Sequence, residues 1–293
     1  MAGRVLASGA SVLADIGYQP EWTTVMGSSF MRHALIAGTL VALVAGPIGY
    51  FVAVRRDSFA AHALAHIGFP GATAAVLLGA PVTAGLAVFC TAGGLAIGLL
   101  GRRTVDRETA TGTILALSTA LGILFASMAS EGAAAVTDVL FGNLLAVTSS
   151  QLWTFSIMAA VVLVVLAVIA RPLLFASIAP DVAAAKGVAT GALGLVLMVL
   201  LALVTTMAVQ VVGTLLLFAL VVTPAAAALA VTARPAAAAG VSSAVALVSV
   251  WGGLVLSAVF NLPPSFPIVA IAFVVWALAT AWSRTGARRP TGA

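Results

Sequence analysis

The sequence predicts an all-α polytopic membrane protein with about nine transmembrane helices, within a range of eight to ten. Three observations carry that reading. Of 293 residues, 62% are hydrophobic and 7% charged, with a mean hydropathy of +1.22, whereas soluble chains carry about 25% charged residues. The apolar runs are about 20 residues long, the length at which a helix crosses roughly 30 Å of hydrocarbon, and not the short alternating strands of a barrel. The basic residues stand singly or in pairs at the ends of those runs, as topology signals do. The formal charge of +5 therefore does not mark a nucleic-acid surface.

Residues 1–30 hold Arg4, Asp15 and Glu21, with no long apolar stretch and no clear cleavage site. They read as a retained, partly amphipathic extracytoplasmic lead-in. The transmembrane domain covers residues 31–283, and residues 284–293 form a tail. Spans are expected at Met31–Val54, Ser58–Gly79, Val82–Gly101, Thr109–Ala129 and Leu152–Ala170. Four more follow at Thr190–Ala208, Val211–Val231, Ala236–Ala258 and Phe266–Trp282. The sixth and seventh are nearly fused around Gln210, and two residues barely turn a helical hairpin.

Charge placement tests the count. With the N-terminus outside, the inner side receives Arg55, Arg56, Arg102, Arg103, Arg107, Arg171, Lys186, Arg234, Arg284, Arg288 and Arg289, and the outer side only Arg4 and Arg32. A bias of 11 to 2 follows the positive-inside rule and puts the C-terminus in the cytoplasm. A missed span would scramble it. Outer loops are short except 130–151, which carries Glu131, Asp138 and Asn143. Its apolar stretch Val139–Val147 reads as a re-entrant or interfacial helix. The prolines of Asn261–Pro264 stop the eighth helix.

The second span carries the most informative residues. His62 and His66 are four apart, so a helix places them on one face, one turn above the other. Ionisable groups inside a span are costly and mark functional sites by default. Pro70 and Gly71 follow, where the helix is expected to bend or break. Imidazole suits zinc and other late first-row ions, and an i, i+4 pair converges two nitrogens on one ion at about 2.0–2.1 Å. Two ligands make a weak site, which a transporter needs because the ion must leave again. The alternative is a pair of polar core residues bonded to carbonyls of neighbouring helices. An intramembrane metalloprotease is disfavoured, because Ala63 stands where the H-E-x-x-H motif has its glutamate base.

Other polar groups are few. Gln210, Asn261 and Asp138 are candidates for an outer gate or path, against the plainer reading that the first two bond between helices. His33, beside Arg32, reads as interfacial, and Cys90 as a small core residue. Glycines 93, 94, 98, 252 and 253 suit close helix packing. Pro224 is expected to kink the seventh span. On the inner side, residues 171–189 contain Asp181 as an expected N-cap, a short helix Val182–Lys186 through Ala185, and Gly187 as the residue past its end. The segment is either a connector or a rigid knob for a cytoplasmic partner. No G-x-x-x-x-G-K-[ST] loop is present, so ATP hydrolysis must come from a separate polypeptide.

These stretches, in order, resemble the membrane permease of ABC importers for zinc and manganese over about residues 30–283. They are FMRHALIAGTLVALVAGPIGYFVAVRRDSFAAHALAHIGFPG, DRETATGTILALSTALGILFAS, TDVLFGNLLAV, APDVAAAKGV, VQVVGTLLLFALVVTPAAAA and LPPSFPIV. The resemblance implies a multi-pass permease of a prokaryotic cell membrane, with an architecture like that of vitamin B12 importers and no tightly bound cofactor. It implies a homodimer, a cytoplasmic ABC ATPase dimer, and an extracytoplasmic metal-binding lipoprotein that delivers the ion. It also implies that Asp181–Gly187 contacts the ATPase. Family members usually carry an aspartate four residues before the histidine that matches His66, and His62 stands in its place here. Replacing a hard carboxylate with imidazole moves the expectation toward zinc and away from manganese. Manganese or iron import is the alternative. A siderophore or cobalamin permease, whose bulky ligand needs no histidine pair, is more distant.

Overall fold

Helix α1 (Trp22–Gly27) leads into the long α2 (Ser29–Val54), whose N-cap Ser28 accepts a hydrogen bond from the Met31 N–H at 3.4 Å. The computed structural model describes residues 22–100, 104–129, 137, 139–214 and 217–286. Helices α3 (Ser58–Leu78), α4 (Val82–Leu100) and α5 (Thr104–Met128) follow. A 3-10 turn at Leu144–Ala146 precedes α6 (Ser149–Ile178) and the short α7 (Pro180–Ala185). The chain closes with α8 (Thr190–Val212), α9 (Leu217–Val231), α10 (Pro235–Phe260) and α11 (Ser265–Gly286).

Eight of these helices are long and apolar enough to cross a membrane, and α9 is apolar but shorter, at 15 residues. Burial sorts them into layers. In α2 and α3, 67% of the apolar window is buried, and in α8 61%, against 17% in α5 and α11 and 22% in α6. Helices α2, α3 and α8 therefore form the interior, and α5, α6 and α11 present apolar side chains outward, as lipid-facing helices do. α3 packs on α4, α5, α8 and α9, and α2 on α6, α8, α9 and α10. Glycines 93, 94 and 98 lie against Ile67 of α3 and Met198 and Leu195 of α8, and glycines 252 and 253 against Ile271 and Ile268 of α11.

The seventh expected span is corrected. Val211 and Val212 complete α8, and the chain leaves the helix at Gly213, whose φ of +84° suits only glycine without strain. Helix α9 starts at Leu217 and is about 22 Å long at 1.5 Å per residue, short of a roughly 30 Å core. The segment 139–147 packs against the end of α8. The Asn143 N–H donates to Gln210 O at 3.1 Å, and the Thr214 N–H donates to Val139 O at 2.9 Å. Irregular backbone away from water needs protein partners, and these two bonds supply partners for the Asn143 and Thr214 N–H groups. A Cβ on Gly142 would lie 2.5 Å from the Gly213 nitrogen, so two glycines are needed where the segments meet.

The expected break at Pro70–Gly71 is also absent: α3 runs unbroken from Ser58 to Leu78. Pro70 is buried, and Thr73 Oγ1 donates to both Phe69 O and Pro70 O at 3.2 Å. Gly71 serves packing instead, since a Cβ there would collide with the Gly85 carbonyl of α4. Pro224 likewise lies inside α9 without ending it. Pro47 leaves Leu43 O without its i+4 donor, and Ser243 Oγ of α10 reaches that oxygen at 3.5 Å. The fifth span is longer than expected. α6 has 30 residues, opens with a Thr148–Gln151 capping box, and is about 45 Å long.

Candidate functional site

The interior helix α3 carries both histidines. The rings of His62 and His66 meet edge to face, with centroids 4.9 Å apart and planes at 76°. Two imidazoles holding one ion tetrahedrally at about 2.0–2.1 Å place their centroids about 5 Å apart, so the observed spacing needs little adjustment. Both rings are half-buried, while Ala61, Ala63, Leu64, Ala65 and Ile67 around them are buried. The pair is thus neither sealed in the core nor wholly exposed. Phe218, near the start of α9, stands edge to face against His62 at 6.2 Å. The α8–α9 break therefore lies just before the helix turn that abuts the pair. Among the described residues, no group of three His, Cys, Asp or Glu side chains comes together. An ion held by this pair would meet two imidazoles and would take the rest of its shell from water or another subunit.

The other expected residues stand apart from the pair. Cys90 is buried between α4 and α3, with its Sγ 3.5 Å from Leu64 O. His33 Nδ1 lies 3.1 Å from Val147 O, and Ser149 Oγ lies 3.5 Å from its Nε2. With Nδ1 donating to the carbonyl, Nε2 accepts from the serine, and the residue ties α2 to the outer loop. The Gln210 side chain makes three hydrogen bonds: its Oε1 accepts from Thr83 Oγ1 at 2.8 Å and Gln151 Nε2 at 3.3 Å, and its Nε2 donates to Thr206 O at 3.1 Å. It joins α8 to α4 and α6 at the outer end. Asn261 is exposed and caps α10 in the left-handed conformation, φ +50°. Asp138 lies outside the described residues.

On the inner side, α7 forms a capped knob between α6 and α8. The expected N-cap is corrected. Pro180 occupies the first helical position, which its fixed φ suits, so Ala179 is the N-cap and Asp181 sits in the first turn, near the positive end of the helix dipole. The C-terminus behaves as expected. Gly187 has φ +82°, its N–H donates to Ala184 O at 2.9 Å, and the Val188 N–H donates to Ala183 O at 3.0 Å. That is a Schellman closure. Ala183 is buried, while Asp181, Ala184, Ala185 and Lys186 are exposed. Ile178 is 66% and Val182 52% exposed, which leaves an apolar surface one turn long pointing away from the bundle.

Sequence reasoning passed over Asp57. Its carboxylate is buried and accepts from Arg55 Nε at 3.2 Å. The pair clamps the tight α2–α3 turn, where Arg56 takes φ +59°. The signal was available, since a lone acid beside two arginines between spans is a local pair in waiting.

Residues 27–283 match the ABC 3 transport family. The chain belongs to that family. The family member is similar to the manganese transport system membrane protein MntC of Listeria monocytogenes, with 34% identity over 87% of this chain and 91% of that protein. It is also similar to the manganese import system permease protein ScaB of Streptococcus parasanguinis, at 33% over 67% and 70% of the two chains. Among solved structures, PsaBC from Streptococcus pneumoniae in complex with Fab aligns with a TM-score of 0.80 and 27% identity, over 91% of this chain and 99% of that one. An inward-facing transporter of metal-chelate type shares the fold at a TM-score of 0.68 and 16% identity, over 95% and 97%. This permease is therefore a multi-pass membrane subunit of a bacterial ABC transporter and not its ATPase. The named relatives are manganese permeases, whereas the imidazole pair led the sequence reading to zinc.

Proposed function

We propose that this permease carries a divalent transition metal into the cell, with manganese as the principal cargo. The carrying observation is the likeness to manganese permeases over 87% of the chain. The His62/His66 pair supports the divalent-cation part of that reading. Two neutral imidazoles bind weakly enough to release, and they occupy a half-buried position on an interior helix.

A homodimer, fed from outside by a metal-binding protein, would pass the ion along α3 to the cytoplasm. ATP hydrolysis by a partner ATPase would act through α7, where exposed Val182 and the neighbouring Ile178 at the end of α6 suit a protein contact. Zinc is the second reading, and His62 favours it, because imidazole gains less from a hard ion such as manganese than a carboxylate does. Uptake of radiolabelled manganese and zinc into cells depleted of other importers separates the two. ATP-dependent manganese uptake supports the first reading, and zinc uptake without manganese uptake replaces it with the second. Uptake of neither ion defeats both.

A further inference from the structure

Away from the histidine pair, the outer half of α2 and the facing side of α10 enclose a groove of about 350 Å³. It is lined by Arg32, Leu35, Ile36, Thr39 and Leu40, which recur on one face of α2, and by Trp251 of α10. The polar atoms in its wall are spoken for: Trp251 Nε1 donates to Thr39 Oγ1 at 2.9 Å, and Thr39 Oγ1 donates to Leu35 O at 2.6 Å. What remains open is apolar, with Ile36 48% and Trp251 51% exposed. Trp251 lies nine residues before the end of α10, about 14 Å along the helix. That depth is well below the headgroup level where membrane tryptophans gather, so the indole serves as a groove wall.

Arg32 stands at the rim. Its side chain is exposed, and among the described residues no carboxylate pairs with it. From Arg32 to Leu40 the groove runs about 12 Å, against about 15 Å for one leaflet of the hydrocarbon core. We infer that this groove binds one anionic phospholipid, its phosphate on the Arg32 guanidinium and an acyl chain between α2 and Trp251. In the orientation read from the sequence, the lipid belongs to the outer leaflet. Guanidinium matches phosphate in a two-pronged geometry, and the membrane supplies such an anion at the depth of the rim. A second copy of the chain seated there would instead bury Arg32 unpaired, which is costly. The inference does not depend on which metal is carried.

The test is lipid retention by the full-length permease, purified from bilayers of phosphatidylcholine with a minor fraction of phosphatidylglycerol and read by native mass spectrometry. Wild type should retain phosphatidylglycerol preferentially. Arg32→Gln should lower that retention about tenfold, Arg32→Lys should lower it less, and Arg284→Gln, at the opposite end of the bundle, should leave it unchanged. Leu35→Trp, which fills the groove, should lower retention with Arg32 still in place. Equal retention of the two lipids by wild type, or no loss in Arg32→Gln, overturns the inference. A change of oligomeric state in Leu35→Trp overturns it in favour of a protein interface.

Discussion

His62 and His66 stand one helical turn apart on α3, with ring centroids 4.9 Å apart, close to the spacing two imidazoles adopt around a single ion. The consequence is directional. If both rings serve one ion, as proposed, removing either leaves a single protein donor on this helix.

His66→Ala should lower metal uptake at least tenfold while the subunit still inserts and co-purifies with its ATPase. The ring is half-buried and is replaced by a smaller apolar group, so helix packing loses little. Uptake by whole cells, alongside co-purification, separates the roles. Loss of assembly would make His66 a packing residue.

His62→Asp should raise the manganese-to-zinc uptake ratio several-fold. The change substitutes a hard oxygen for a nitrogen and adds one negative charge near the ion. Competition between the two radiolabelled ions at fixed concentrations reads the ratio. An unchanged ratio would place the selecting group elsewhere.

Gly213→Ala should destabilise the outer face by about 1–3 kcal/mol, the usual range for a residue forced into a sparsely populated backbone region. The φ of +84° strains any side chain, and the new Cβ would collide with the carbonyl of Leu140. Thermal unfolding in detergent, compared with Gly191→Ala at an open position, measures the difference. Equal melting temperatures would show that the 139–147 segment gives way freely.

Val182→Asp should uncouple the ATPase. The side chain is 52% exposed on α7, so folding is spared, while a charge enters the apolar surface around Ile178 and Val182. The expected result is loss of ATPase co-purification with normal membrane insertion. Retained binding with retained uptake would move the contact off α7.

The number and order of helices were legible because length and hydropathy alone decide what fits a bilayer. The histidine pair was legible for the same reason: a titratable group stands out in an apolar run. Three details were not. Pro70 reads locally as a break, yet α3 continues unbroken through it, with Gly71 packed against Gly85. Gln210 reads as the turn between two spans, yet it is the last-turn residue whose amide joins three helices. Its partners Thr83 and Gln151 are 127 and 59 residues away in sequence, beyond any local pattern. Asp181 reads as a cap, but Pro180 before it claims the first helical position. In each case a distant contact, or the neighbouring residue's covalent geometry, overrides the local preference.

The 30-residue span of α6 makes it a rod joining opposite sides of the membrane. One end is pinned beside His33 through Val147 and Ser149, and the other hands directly to α7. A tilt of about ten degrees about the pinned end would sweep the far end of a 45 Å rod by about 8 Å. A small shift at the pinned end is thereby enlarged at the end that carries α7, by leverage alone.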